Sequence, residues 1–301
     1  MSLTSAELRA LLYLLRAAEP PSPALHDYVA VCGVVEAVAH IRSGDAPSAV
    51  LAEIVRPDVD IARDLTALDT GTARLVTPHD QEWPRDRFDA MAVHDLGVPL
   101  ALWVRGRSSL AELLGTAVTI TGARAATEYG SFVAAELAAD LARRGVTVVG
   151  GGAYGIEGCA HRGALAGDGA TVVVMPCGID QRFPREHGYL FESVVERGGL
   201  VVGEYPVGTV PARRRFYARN RLLAGLASAT LLVEAGKRSK TLFTAQVASS
   251  LGRPVYGVPG PVTSALSGGV HELLRTGQAT IATTAGHIDV PDGSPRPTSG
   301  A

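Results

Sequence analysis

Cysteine is scarce in this chain. There are three, Cys32, Cys159 and Cys177, scattered and odd in number. They offer no zinc spacing and no disulfide framework, which fits a reducing cytoplasm. An excess of either charge is also missing: 28 Lys and Arg stand against 30 Asp and Glu, a net −2. A molecule basic all over is excluded, so any contact with a polyanion must come from a local patch. No apolar run approaches the roughly 18 residues of a membrane span. The first residues lack the basic segment and small-residue cleavage site of a secretory signal. The expectation is a soluble cytoplasmic protein with no membrane association. The 301 residues are 47% hydrophobic, enough for a substantial core in two domains, or in one with an appendage.

Residues 1 to about 65 read as helical, with Ser5 before an amphipathic run, a proline break at Pro20, Pro21 and Pro23, and further helices near 26–42 and 46–55. Short strands are expected at Leu75–Pro78 and Leu102–Gly106. From 116 onward, strand-like runs at 117–121, 146–150, 170–175, 199–202, 229–233 and 254–258 alternate with helical stretches. That alternation predicts an α/β fold: a Rossmann-like domain with a mostly parallel sheet, covered on both faces. The expected division is a small helical domain at 1–65, the Rossmann-like domain at 66–287, and a Pro/Gly/Ser-rich disordered tail at 288–301.

The chemistry gathers where strands end. Val118 to Thr121 run into Gly122, and a helical pattern follows within a few residues. A strand end, a Gly turn and a helix N-terminus form an anion site through free N–H groups and the helix dipole. Arg124 adds a cation with fork geometry. A second glycine cluster, Gly150, Gly151, Gly152 and Gly155, closes the next strand. Pro184 is expected to turn the chain so that Arg185 lies over the strand ends. The most basic stretch carries Arg213, Arg214, Arg215, Arg219 and Arg221 within nine residues, together with Phe216, Tyr217 and Asn220. Arginine forks bind phosphate, and aromatic faces stack on unpaired bases. Glu204 and Glu234 lie at strand ends where they can pair with some of these arginines. Lys237 and Lys240 lie in one more basic loop, which lacks the spacing of a Walker A motif. His161 with Cys159 reads as structural rather than metal-binding. No nucleophile triad or acid pair stands out, so no catalytic residue, metal or cofactor is assigned.

Taken in order, these segments resemble the DprA/Smf family of DNA-processing proteins over roughly 70–285. The family's G-S-R-x-x-T-x-Y-G is matched by Gly122, Arg124, Thr127, Tyr129 and Gly130. Its S-G-x-A-x-G-I-D-x-x-A-H is matched by Gly151, Ala153, Gly155, Ile156, Ala160 and His161. Its Y-P-x-x-N falls on Phe183 to His187, and S-E-Y-P-x-G on Gly203 to Gly208. F-x-x-R-N-R-x-x-A-G-L is met by Phe216, Arg219, Asn220, Arg221, Ala224, Gly225 and Leu226. The segment from Val233, Glu234 and Ala235 to Thr244 and Ala245, then Val258-Pro259-Gly260, completes the series.

The resemblance implies a homodimeric, non-enzymatic protein that binds single-stranded DNA, protects it, and loads the RecA recombinase in natural transformation or recombination. It places Gly122, Arg124, Gly151, Gly152, Arg185 and Lys237 at the DNA, with Arg219, Asn220 and Arg221 shaping the pocket. Composition adds Arg213, Arg214, Arg215, Phe216 and Lys240. The chain departs from the family pattern at Ala123, Gly150, Glu157, Tyr154, His187 and His271. No DNA role is assigned to the N-terminal helices. The competing reading is a Rossmann-like protein that binds or hydrolyses nucleotides, with phage defence as a further setting.

Overall fold

The first helix opens on a reciprocal cap. Thr4 Oγ1 accepts the Glu7 N–H, and the Glu7 carboxylate accepts the Thr4 N–H, which fixes the start of α1, Ser5–Ala17. The cap is therefore Thr4, one residue before the Ser5 expected. The structure, a computed structural model, describes residues 3–290. The proline break follows α1, and then come α2 (Pro23–Cys32), α3 (Val34–Ser43), α4 (Ser48–Glu53) and α5 (Ala62–Asp69). Leu14, Leu25, Ala37 and Val50 close a core among these helices. Another side of α1, with Leu11, Leu12 and Leu15, packs into a core shared with Trp103, Val173 and Phe191. Arg16 pairs with Asp64 and also donates to the Val207 carbonyl at 3.0 Å. The helical segment is thus seated on the sheet through apolar and charged contacts. The boundary expected near 65 falls inside α5.

Among the described residues, nine strands form one sheet: β1 (Arg74–Val76), β2 (Leu102–Arg105), β3 (Ala117–Thr121), β4 (Thr147–Gly150), β5 (Thr171–Met175), β6 (Leu200–Gly203), β7 (Ala229–Leu232), β8 (Val255–Gly257) and β9 (Thr280–Ile281). Their order is β1-β2-β6-β5-β4-β3-β7-β8-β9. From β6 to β9 the pairing is parallel, while β1 and β2 add an antiparallel edge. The six strand-like runs after 116 are β3 to β8. The sequence reading missed β9 because it is two exposed residues long with no apolar run.

Helices α6 (Arg85–Val93), α7 (Leu110–Gly115), α8 (Glu128–Arg143), α9 (Ile156–Ala166), α10 (Gly188–Glu196), α11 (Arg213–Leu226), α12 (Leu242–Ser250) and α13 (Gly268–Arg275) cover the sheet. Val118, Ile120 and Val148 pack under α8 and α9, whereas Val149, Val172 and Val174 face α6, α7 and α11. Adjacent strand residues thus bury into opposite cores, which is why these strands are apolar throughout. Each such Val contributes roughly 1.5–3 kcal/mol on burial. Among the described residues, no single helix is long and apolar enough to cross a membrane.

The expected tail at 288 needs correction at its start. Ile288 is fully buried, and the Asp289 N–H donates to Tyr256 Oη at 3.0 Å. The remainder of that expected tail, 291–301, lies outside the described residues.

The sheet has one topological switch. The chain steps from β3 to β4, β5 and β6 on one side, then returns to the other side of β3 with β7. Loops leaving β3 and β7 part at that point and open a crevice at the C-terminal edge of the strands.

Candidate nucleic-acid interface

Of the helix starts around this crevice, those of α8 and α9 already hold a carboxylate, whereas those of α11 and α12 have no side-chain cap. Glu234, 1% exposed, accepts the Thr127 N–H at 3.0 Å and the Thr127 hydroxyl at 2.6 Å at the start of α8. Thr127 Oγ1 in turn accepts the Gly130 N–H at 3.0 Å. Gly130 has no room for a side chain, since a Cβ there would lie 2.3 Å from Glu234 Oε2. At the start of α9, Glu157 accepts the Ala153 N–H at 3.1 Å and the Thr121 hydroxyl at 2.8 Å. The expectation of an open helix-dipole anion site is therefore corrected for α8 and α9, where the positive end of the dipole meets an internal anion. Glu234 pairs with Thr127, not with an arginine. Attraction for an external anion is left to side-chain cations and to the starts of α11 and α12.

Those cations surround a cavity of about 530 Å³ above the ends of β3, β4 and β7. Gly122 and Ala123 lie at its base, where Ala123 N–H donates to the Glu234 carbonyl at 2.7 Å. Gly122 is required by this close approach, because a Cβ would stand 2.7 Å from that same carbonyl oxygen. Arg124 reaches across with its Cζ 4.7 Å from the Phe216 ring centroid. Phe183 meets Phe216 edge-on at 5.6 Å. On the far side, Lys240 Nζ lies 5.8 Å from the Tyr217 ring, which is stacked at 4.5 Å on Phe243. Arg124, Arg213 and Lys240 are exposed, and none has an ion pair among the described residues. Four cations line the cavity (Arg124, Arg213, Arg219 and Lys240) against the single carboxylate of Glu157. Aromatic faces beside unpaired cations suit a strand of stacked bases and phosphates.

The arginines of α11 divide by face. Arg213 and Asn220 line the cavity. Arg219 lies beneath it, 3% exposed, donating to the Val174 carbonyl at 2.7 Å with Glu157 at 4.0 Å. Burial lowers its pKa. A side chain on Gly151 would collide with this guanidinium, the Cβ falling 1.4 Å from Nη1. Arg215 is turned away, bidentate on Glu19 at 2.6 and 2.9 Å and 5.0 Å from the Tyr205 ring. Arg214 also reaches Glu19, at 3.2 Å. Burial alone would raise the Glu19 pKa, but the hydrogen bonds from Arg215 and Arg214 bring it down to about 2. Arg221 is buried and bidentate on Glu204, with its Nε on the Leu96 carbonyl at 2.8 Å.

Several expected site residues are thus reassigned. Arg215 and Arg221 are consumed by buried ion pairs, and Arg214 leans on one of them. Gly151 and Gly152 are buried spacers: one leaves room for Arg219, and the other has φ +67° with a Cβ that would lie 2.7 Å from Phe191. Arg185 and Lys237 are exposed cations outside the cavity lining. The structure brings together Gly122, Arg124, Arg213, Phe216, Arg219, Asn220 and Lys240. The sequence reading missed Phe183 as a cavity wall; its signal was an aromatic before Pro184 where the family motif has Tyr.

The departures from the family pattern have local causes. A Cβ at Gly150 would lie 2.8 Å from His161 Nε2, so the motif's serine has no space in this packing. His161 is fully buried, and the Thr171 hydroxyl beside it gives its proton to the Val148 carbonyl. His161 Nδ1 must therefore be the donor to Thr171 Oγ1 at 2.7 Å. Burial pushes its pKa down to about 4. His187 donates from Nδ1 to the Gly152 carbonyl at 2.9 Å and packs edge-on against Tyr154. Tyr154 in turn donates to Glu186. Cys177 is buried, its thiol pKa raised to about 12 by burial. None of these histidines or cysteines is free to act at the cavity.

The family model for DNA recombination-mediator protein A matches residues 74–289. The chain belongs to this family. A Mycobacterium tuberculosis relative named putative DNA processing protein DprA is 44% identical over 305 residues, covering 96% of this chain and 78% of the relative. The X-ray structure of DprA from Streptococcus pneumoniae superposes with a TM-score of 0.75 at 25% identity, over 95% of this chain and 97% of that one. A Helicobacter pylori structure, described for the single-stranded DNA binding mode of its DNA processing protein A, gives 0.61 at 27% identity over 71% and 93% of the chains. The Rossmann-like fold and the family membership expected from the motifs both hold.

Proposed function

We propose that this DNA-processing family member binds single-stranded DNA in the cavity at the β3/β7 switch point. One observation carries the reading: Phe216, walled by Phe183, lies under Arg124, among exposed cations that no carboxylate neutralises. Bases stack against the aromatic wall while Arg124, Arg213 and Lys240 hold the backbone phosphates. Arg219 raises the potential from below without leaving its carbonyl partner. The binding mode described for the Helicobacter pylori relative supports the same ligand here. On the family resemblance we add that the protein protects the strand and loads the RecA recombinase. It does so as a cytoplasmic homodimer and without catalysis of its own. The working division shifts the expected boundaries to a docked helical unit that ends with α5 at Asp69 and a DNA-binding domain that runs to Asp289.

The test is competition between oligothymidine and duplex DNA across a salt series. Three neutralised phosphates predict a slope of log affinity on log salt of about −2 for a single strand. Single-strand preference with that slope is expected. Equal affinity for duplex, or indifference to salt, overturns the reading.

A further inference from the structure

A second basic groove opens beside the first, on the other side of the loop that follows β5. Its volume is about 750 Å³. Arg63 of α5, Arg105 and Arg107 at the end of β2, and Arg182 of the loop reach into it. Only Asp180 and Glu192 oppose these four guanidinium groups, which leaves two positive charges in excess. Arg63 is held by Asp180 at 2.7 Å. Arg105 and Arg182 share Glu192 at 3.4 and 3.8 Å, longer than the roughly 2.7–2.9 Å of a strong charge-assisted bond. Arg107 is exposed and has no ion pair among the described residues. Arg105 Nε is buried with no hydrogen-bond partner among the described residues. The groove therefore has donors left over, one of them already desolvated and lacking an acceptor.

Among the described residues, no aromatic side chain lines this groove. Guanidinium forks without stacking faces suit phosphates rather than bases. Its position relative to the first cavity is set by one loop. Ile179, Asp180 and Arg182 face the groove, whereas the next residue, Phe183, walls the switch-point cavity. Arg182 in the groove is thus the immediate neighbour of the aromatic wall at Phe183.

We propose that this groove binds the backbone phosphates of the same single strand as it leaves the switch-point cavity past Phe183. The inference rests on the reading of that cavity as the DNA site. It extends that site into two unlike parts, one that holds stacked bases and one that grips only the backbone.

The experiment pairs Arg107→Ala/Arg182→Ala with the unaltered protein. Each is titrated with oligothymidine of about 5 and about 20 nucleotides, lengths chosen to bracket a single-strand footprint. Both side chains are exposed, and retained binding of the short oligonucleotide also reports a folded protein. The expected result is unchanged affinity for the short strand and a roughly tenfold loss for the long one. The salt slope for the long strand should shrink by about 1.4, two contacts' worth. Equal losses at both lengths overturn the proposal, because the charges then act on the first cavity from a distance. No loss at either length overturns it as well. A third arm uses pyrophosphate: if the double variant loses pyrophosphate binding but keeps the long strand, the groove serves a free phosphate compound instead. If the unaltered protein binds neither oligonucleotide, the DNA reading itself fails. A loss confined to the long strand leaves that reading standing.

Discussion

Arg221 and Arg215 of α11 are buried against Glu204 and Glu19, while Arg213 on the same helix is exposed at the cavity beside Arg124 and Lys240. Sequence composition makes these arginines look alike. Their environments make them opposites. A buried guanidinium with a bidentate carboxylate has no charge left for a ligand, and removing it strands the partner. An exposed one with no partner contributes little to folding and keeps its charge for an external phosphate. Reversing Arg213, Arg214 and Arg215 together to Glu would set a new carboxylate against Glu19, so it measures folding before it measures DNA attraction. The run is not one electrostatic patch.

Four substitutions or titrations sharpen this contrast. The largest effect is expected for Arg221→Ala, which leaves Glu204 buried without its cation. Stability should fall by about 3–5 kcal/mol in denaturant melts. Replacing the pair together, as Arg221→Met with Glu204→Leu, should recover much of that loss. A single variant that melts like the unaltered protein would remove the buried half of the comparison.

The next effect is pH-dependent. His161 is held neutral by burial, with its pKa lowered from 6.5 to about 4. Between those values the unfolded chain binds a proton that the folded chain does not. Stability is therefore full above pH 6.5 and declines as pH falls through this window, by about 3 kcal/mol in total. Melts of His161→Gln against the unaltered protein should show a flatter profile between pH 6.5 and 4. Parallel profiles would contradict the buried neutral imidazole.

Glu19→Ala should cost about 1–3 kcal/mol of stability by leaving Arg215 unpaired. Limited proteolysis should then release the N-terminal helices sooner. Unchanged protection would mean that apolar packing alone seats them. The smallest effect is expected for Lys240→Ala: no change in melting and about 1 kcal/mol of DNA affinity, read by fluorescence anisotropy. A drop in melting temperature would make Lys240 structural and weaken the comparison.

Much of the fold was legible in the chain. Six apolar runs alternating with helical stretches gave six parallel strands, because strands covered on both faces carry apolar side chains in both directions. The two-residue β9 and the anchoring of Ile288 were not legible, since neither has a periodic signal. At the site, Gly122 and Arg124 were visible as a strand-end motif, and Phe216 as an aromatic within the basic run. The partners of Arg215 and Arg221 were harder. Glu204 was a visible candidate near the arginines, but Glu19 lies 196 residues from Arg215, across the helical segment. The occupied helix starts escaped for a similar reason: Glu234 is 107 residues from the Thr127 it binds. Glycine loops read as open anion cradles until the buried carboxylates that fill them are located.

On the proposed function, the switch-point cavity holds the strand through exposed cations that have no ion pair among the described residues. The most direct measurement is the affinity of Arg124→Ala for oligothymidine, with its melting curve recorded alongside. A loss of about 1.5–3 kcal/mol in binding is expected, since a charge-assisted phosphate contact is removed. The melting curve should stay within about 0.5 kcal/mol of the unaltered protein. Normal DNA affinity, or early melting, would contradict it.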